Sequence, residues 1–152
     1  GALNNPELAI GAVGPKKVVY WDNTLCRRLG LTQEVKKQEL EIKNQERRER
    51  ERLLRGAKSY FNFMDKTVIL VDDGVATGAT VMAVGKFFKK IKIKERLLAT
   101  PVIAQDTLGK VKKYFTQVVF LEAPVEFYAV GQFYKEFPQI SNEEVIKILN
   151  LP

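Results

Sequence analysis

VILVDDGVATGAT, residues Val68 to Thr80, runs four apolar residues straight into two adjacent carboxylates and then into a loop of small residues. Val68 to Val71 reads as a short buried strand, and Gly78 opens a helix that extends to Lys90 with Val81, Val84, Phe87 and Phe88 turned inward. The pair Asp72–Asp73 costs electrostatic repulsion. The loop from Gly74 to Gly78 loses more backbone entropy on ordering than a bulkier sequence would. Something must offset both costs. In open α/β folds, ligands bind in the crevice beyond the carboxyl ends of the strands, and this is where the two carboxylates fall.

The chain on either side fits that frame. Leu97 to Ile103 and Val118 to Leu121 read as further strands, with a helix from about Thr107 to Tyr114 between them. Continuous apolar strands alternating with helices predict a parallel sheet covered on both faces. Ser141 and Glu144 form a capping-box pair that starts a last helix. Before the central stretch, Ala9 to Val13 and Lys17 to Trp21 predict two short strands joined by a turn at Gly14-Pro15. Asn23 or Thr24 then caps a short helix ending near Gly30. Residues 32–58 differ in character: they hold nine Lys/Arg against six Glu, with no Gly or Pro before Gly56. Glu39–Lys43, Glu46–Arg50 and Glu51–Arg55 stand in the favourable i,i+4 order. Thr32 caps the start and Gly56 the end, and the apolar residues are too sparse for a core-facing stripe. The segment reads as an exposed helical arm. The whole, residues 1–152, reads as a single α/β domain whose mostly parallel sheet is flanked by helices.

Composition removes several function classes. Of 152 residues 45% are hydrophobic and 28% charged, which suits a folded globular chain, and no apolar run approaches the roughly 18 residues of a membrane span. The single cysteine, Cys26, has no intramolecular partner, which fits a reducing, cytoplasmic setting. There is no histidine, so Ser-His-Asp and Cys-His catalysis and the usual zinc sites are excluded. The net charge of +7 suits a partner carrying phosphate.

The chemistry of the central loop is more specific. Gly74 and Gly78 let the backbone curl closely round an anion, the helix N-terminus supplies amides and a favourable dipole, and Thr77 and Thr80 add hydroxyls. Asp72 and Asp73 would repel that anion. They are better suited to accepting hydrogen bonds from vicinal hydroxyls. A ribose 5-phosphate unit meets both requirements with one ligand. An acidic pair before glycine is in many proteins only a turn, but the thirteen-residue context makes a turn alone a poor account. Neighbouring phosphate motifs fail. A Walker loop needs Gly-Lys-Ser/Thr, and a dinucleotide fingerprint needs G-x-G-x-x-G. A dehalogenase-type phosphatase would need an Asp where residue 74 is Gly.

At these residues the chain resembles the type I phosphoribosyltransferases, whose signature for 5-phosphoribosyl 1-diphosphate (PRPP) VILVDDGVATGAT matches at nearly every position. NPELAIGAV (residues 5–13), LLRGAKSY (53–60) and FYAVGQFYKEFPQISNEEV (127–145) extend the likeness to a branch of predicted phosphoribosyltransferases. The resemblance implies that Asp72 and Asp73 hold the ribose hydroxyls. It implies equally that Gly74, Val75, Ala76, Thr77, Gly78, Ala79 and Thr80 wrap the 5-phosphate. The reaction implied is displacement of pyrophosphate at the anomeric carbon by a nucleobase nitrogen, with Mg²⁺ bound alongside the substrate pyrophosphate. Ala76 stands where hypoxanthine-type members carry an Asp, so the loop is closer to the adenine-type pattern. Family members also carry an earlier strand-loop unit that contacts pyrophosphate, upstream of where this sequence starts. Its absence predicts an incomplete pyrophosphate site, and sets a non-catalytic module that senses PRPP or a nucleotide against the enzyme.

Three further features bear on function. The arm resembles a loop closing over the reacting centre, bringing Arg47, Arg48, Arg50 or Arg52 to the pyrophosphate, with a solvated helix or a dimer contact as the plainer account. Its interspersed Glu residues argue against nucleic acid. Phe127, Tyr128, Phe133, Tyr134 and Phe137 read as core packing in preference to a base-stacking wall, and Trp21 and Cys26 as structural. A homo-oligomer is expected, and no membrane.

Overall fold

The computed structural model describes residues 9–55 and 62–149. Strands β1 (Gly11–Val13) and β2 (Val19–Trp21) form an antiparallel hairpin, with register Ala12 opposite Tyr20. Their connection, residues 14–18, is longer than a turn at Gly14-Pro15 alone predicts. Pro15–Lys17 makes a turn of 3₁₀ helix, in which Lys16 and Lys17 take positive φ. Helix α1 (Asn23–Arg28) is capped by Asp22, whose carboxylate accepts from the Leu25 amide at 2.9 Å, one position before the expected Asn23 or Thr24. Gly30 ends that segment with φ 64°. Helix α2 (Gln33–Arg55) is the charged arm, started by Thr32, whose hydroxyl accepts from the Val35 amide. Gly56 and Lys58, its expected end, lie outside the described residues, as do Asn5 to Leu8.

The arm buries no residue, yet it does not stand free: it leans on β1. Its ion pairs include Lys43–Glu46 at 2.7 Å and Arg47–Glu51 at 2.6 Å. Pairs of this kind, on a helix surface, contribute at most about 0.5 kcal/mol each.

From Thr67 the chain is regular. Strands β3 (Thr67–Val71), β4 (Glu95–Val102) and β5 (Gln117–Glu122) form one parallel sheet in sequence order, with helix α3 (Ala79–Phe88) between the first two and α4 (Gln105–Val111) between the last two. The register sets Val71 beside Ala99 and Val102 beside Glu122. A short 3₁₀ segment (Val130–Phe133) and helix α5 (Asn142–Leu149) complete the chain, the latter held by the Ser141–Glu144 capping box. Among the described residues no helix is long and apolar enough to cross a membrane.

Both crossovers step the same way along the sheet, and parallel crossovers are right-handed, so α3 and α4 come to one face. Side chains alternate along each strand. Val68, Leu70, Leu98, Val118 and Phe120 pack with Val81, Met82, Phe87 and Phe88 of α3 and Val111 of α4. The alternate residues Ile69, Val71, Val119 and Leu121 are exposed, Leu121 to 83%. Covering of both faces, as the apolar runs suggested, therefore holds for one face only among the described residues. The hairpin packs on α3, adding a further layer. There Lys86 donates to the Val19 carbonyl at 3.2 Å and lies over the Tyr20 ring.

Close packing around α3 gives a sharp test. A Cβ at Gly85 would stand 2.6 Å from the Tyr114 Cβ, an atom fixed to the backbone. In an open helix Gly→Ala gains about 1 kcal/mol, whereas forcing a methyl into a filled core costs roughly 1–3 kcal/mol. Gly85→Ala is expected to lower the melting temperature by several degrees. An unchanged or raised value in a thermal melt would show that the helix is loosely packed there.

Candidate functional site

The stretch after β3 is held from three sides. The Asp72 amide still donates to Ala99 in the ladder, at 3.1 Å. Val75, only 2% exposed, re-enters the core as a one-residue bridge to Ile103. Its amide donates to the Val102 carbonyl and its carbonyl accepts from the Ala104 amide, both at 2.9 Å. Thr107 of α4, itself buried, donates its hydroxyl to the Ala76 carbonyl at 2.7 Å. Gly78 then turns the chain into α3 at φ 70°, ψ 10°, the left-handed region where a side chain is strained. A Cβ at Gly78 would also stand 2.8 Å from the Thr107 methyl. Ala79 is buried, while Thr77 is half-buried and Thr80 exposed.

All nine residues from Asp72 to Thr80 that the sequence singles out line one cavity of about 350 Å³. The first turn of α3 borders it, with amides that have no partner within the helix. Burial pushes the Asp72 carboxyl up from 3.8 to about 6, and the hydrogen bond and negative charge of Asp73 add to the rise. The site therefore combines an anion-binding helix start with an acidic pair in which ionising Asp72 is costly. It can take a ligand that is anionic at one end and offers hydroxyl donors at the other. Among the described residues no group of three or more acidic, His or Cys side chains is placed to hold a metal by itself.

A second cavity, of about 790 Å³, adjoins the first and shares Ala76 and Thr77 with it. Trp21, Phe127 and Tyr128 give it aromatic walls, and Asp22, Asp106 and Lys110 give it charge. This corrects the reading of the aromatic cluster as core. None of the five is buried, and Tyr128 is 77% exposed. The reason is the path of residues 123–141, which carry only a 3₁₀ turn and pass by the loop. The rings pair along the segment, Phe127 with Phe133 and Tyr134 with Phe137, both at 5.0 Å between centroids. Trp21, expected to be structural, lies in the cavity wall, and Cys26 is fully buried as expected.

Of the four arm arginines expected near the pyrophosphate, Arg47 and Arg50 reach a third cavity, about 410 Å³, whose wall includes Thr80. The Arg47 Nε is buried there without a hydrogen-bond partner. Arg48 and Arg52 do not line it.

Sequence reasoning missed two residues that shape the loop. Thr107 bonds across 31 positions, and Tyr134 across 61, its hydroxyl donating to the Asp73 carbonyl at 2.6 Å. A threonine inside a helix and a tyrosine in an aromatic run carry no local mark of such contacts.

Likeness to known proteins extends over most of the chain. The family model described as "Phosphoribosyl transferase domain" matches residues 19–133. Two curated proteins of Mycobacterium tuberculosis are each 33% identical over 155 residues: "Putative phosphoribosyl transferase MT0597" (strain CDC 1551 / Oshkosh) and "Putative phosphoribosyl transferase Rv0571c" (strain ATCC 25618 / H37Rv). The matches cover 99% of this chain and 34% of theirs, so the chain spans about a third of the length of these relatives. Among solved structures, the crystal structure of TT1426 from Thermus thermophilus superposes with a TM-score of 0.72 at 31% identity, covering 98% of this chain and 70% of that one.

The acidic pair predicts how stability depends on pH. Because the folded state holds the Asp72 proton more tightly than the unfolded chain does, stability falls as pH climbs from about 4 through about 6 and is level above. Asp72→Asn removes that loss. Thermal melts at pH 8 are expected to place the variant above the parent, with the gap closing toward pH 4. A variant less stable than the parent at pH 8 would contradict the assignment.

Proposed function

Because the chain belongs to the phosphoribosyl transferase domain family, we propose that it binds PRPP with Mg²⁺ and transfers the phosphoribosyl group to a nucleobase nitrogen, releasing pyrophosphate. One observation carries this reading: the small-residue loop with its acidic pair and the larger aromatic-walled cavity meet at Ala76 and Thr77. A sugar phosphate anchored in the loop then lies beside an acceptor in the second cavity.

Each residue has a defined part. The amides of residues 74–80, with the Thr77 and Thr80 hydroxyls, surround the 5-phosphate at the start of α3. The Asp72 and Asp73 carboxylates accept hydrogen bonds from the ribose 2′- and 3′-hydroxyls. Trp21, Phe127 and Tyr128 offer faces on which a planar base stacks. In the reaction the bond from the anomeric carbon to the diphosphate oxygen breaks, and its electron pair leaves with the diphosphate. The lone pair of the acceptor nitrogen forms the new bond, and the proton that nitrogen carried passes to solvent water. Positive charge builds on the ribose ring in between, and the acidic pair stands close enough to favour it. Asp72 and Asp73 are the side chains beside which Mg²⁺ would sit when bound with the substrate, and there it would supply neutralisation of the leaving diphosphate. Positioning and electrostatics carry such a reaction, so a chain without histidine suffices.

The test is release of pyrophosphate from PRPP and Mg²⁺ over a panel of purine and pyrimidine bases. Release dependent on one base, and lost in Asp72→Asn/Asp73→Asn, is the expected result. The rate should fall as pH drops below about 6, where Asp72 takes up its proton. PRPP that binds without turnover on any base would assign the chain as a sensing module instead.

A further inference from the structure

The segment from Glu126 to Tyr134 touches both cavities, and it is internally locked. The Gln132 side chain is the lock: its Oε1 accepts from the Tyr128 amide at 2.9 Å and the Ala129 amide at 3.1 Å. Its Nε2 donates to the Glu126 carbonyl at 3.2 Å. One amide group thus ties three backbone positions into a closed turn, and the Phe127 and Phe133 rings pack across it at a tilt of 49°. At one end of the turn, Phe127 and Tyr128 face the larger cavity. At the other, the segment grips the acidic corner. Val130, 7% exposed, fills the space beside Gly74, where a Cβ would lie 2.5 Å from its Cγ1. Two residues beyond Gln132, the Tyr134 hydroxyl donates to the Asp73 carbonyl at 2.6 Å.

The Asp73 peptide is not held by the sheet in the way that Asp72 is. The ladder ends at the Asp72 amide, and the next backbone bond to the sheet is the Val75 amide. Between them the chain turns through Asp73 and Gly74, the positions Tyr134 and Val130 touch. A hydrogen bond to a peptide carbonyl fixes that peptide plane, and with it the direction in which the Asp73 side chain leaves the backbone.

We propose that Tyr134 is a positioning residue for the acidic pair, and that the turn locked by Gln132 couples the acceptor cavity to the sugar site. The inference rests on the functional reading above. Tyr134 acts through the Asp73 backbone and touches no substrate. A base stacking on Phe127 or Tyr128 presses on the same rigid turn that orients Asp73, so filling one cavity changes the affinity of the other. Val75 and Thr107 hold the phosphate loop from Val75 onward independently, so that part stays as it is when Tyr134 is altered.

That division supplies the experiment: calorimetric titration with ribose 5-phosphate and, separately, with inorganic phosphate. Tyr134→Phe removes only the hydroxyl. It is expected to weaken ribose 5-phosphate about fivefold to tenfold, the size of one lost hydrogen bond, while phosphate affinity and melting temperature stay near the parent values. Gln132→Ala, which unlocks the turn but leaves Tyr134 in place, should show the same selective loss. Equal weakening of both ligands with a lower melting temperature would make Tyr134 merely structural and overturn the proposal. Unchanged affinity for both ligands in Tyr134→Phe would overturn it as well. A parent chain that binds phosphate but gains nothing from the ribose would instead remove the functional reading itself, an outcome visible before any variant is made.

Discussion

The site depends on one buried residue, Val75. A loop of glycine, alanine and threonine has no shape of its own, because each residue is small and free to rotate. Val75 gives it one by dropping back into the core between the ends of β3 and β4, where its amide and carbonyl bond to Val102 and Ala104. Everything on the functional side is measured from that anchor. Asp72 and Asp73 are bent out just before it, and Gly78 turns the chain into α3 just after it. Thr107 secures the intervening carbonyl of Ala76. The anchor also answers the entropy question that the small residues raise: the loop is ordered before any ligand arrives, so binding need not order it.

The acidic pair is the opposite case, a feature the fold tolerates. Nothing among the described residues neutralises Asp72 with a cation, and its carboxyl is pushed up to about 6 by burial and by Asp73. Two hydroxyl donors would satisfy the pair in its ionised form, which is how a ligand supplies what the fold alone does not. The placement of pair and anion-binding helix start on either side of Val75 separates opposite demands by a few residues. One ligand with a phosphate at one end and hydroxyls at the other is the economical way to meet both.

Much of this was legible in the sequence because it is local. The apolar strand, the acidic pair, the small-residue turn and the amphipathic helix follow one another within about twenty residues, and each has its own pattern. The Ser141–Glu144 capping box was readable for the same reason. What escaped reading is what distance or degeneracy hides. Thr107 and Tyr134 reach the loop from 31 and 61 residues away, and neither residue type announces such a bond. The cap of α1 fell one residue early because Asp22, Asn23 and Thr24 are all able caps. The open face of the sheet escaped because an apolar run does not show which side its crossovers will cover. The handedness of two successive crossovers decides that, and the exposed Ile69, Val71 and Leu121 record it. The aromatic cluster was misread for a related reason. Its composition matches core packing, but the path of the chain past the loop turns it into a wall.

The central claim is that the loop and the acidic pair are one site for one ligand. Calorimetric titration of PRPP with Mg²⁺ into the parent chain and into Asp72→Asn/Asp73→Asn tests it most directly, since the double change keeps size and backbone while removing both charges. The account predicts saturable binding to the parent and none to the variant, with inorganic phosphate still bound by both. Equal PRPP affinity in the two proteins would contradict it, by showing that the carboxylates take no part in holding the ligand.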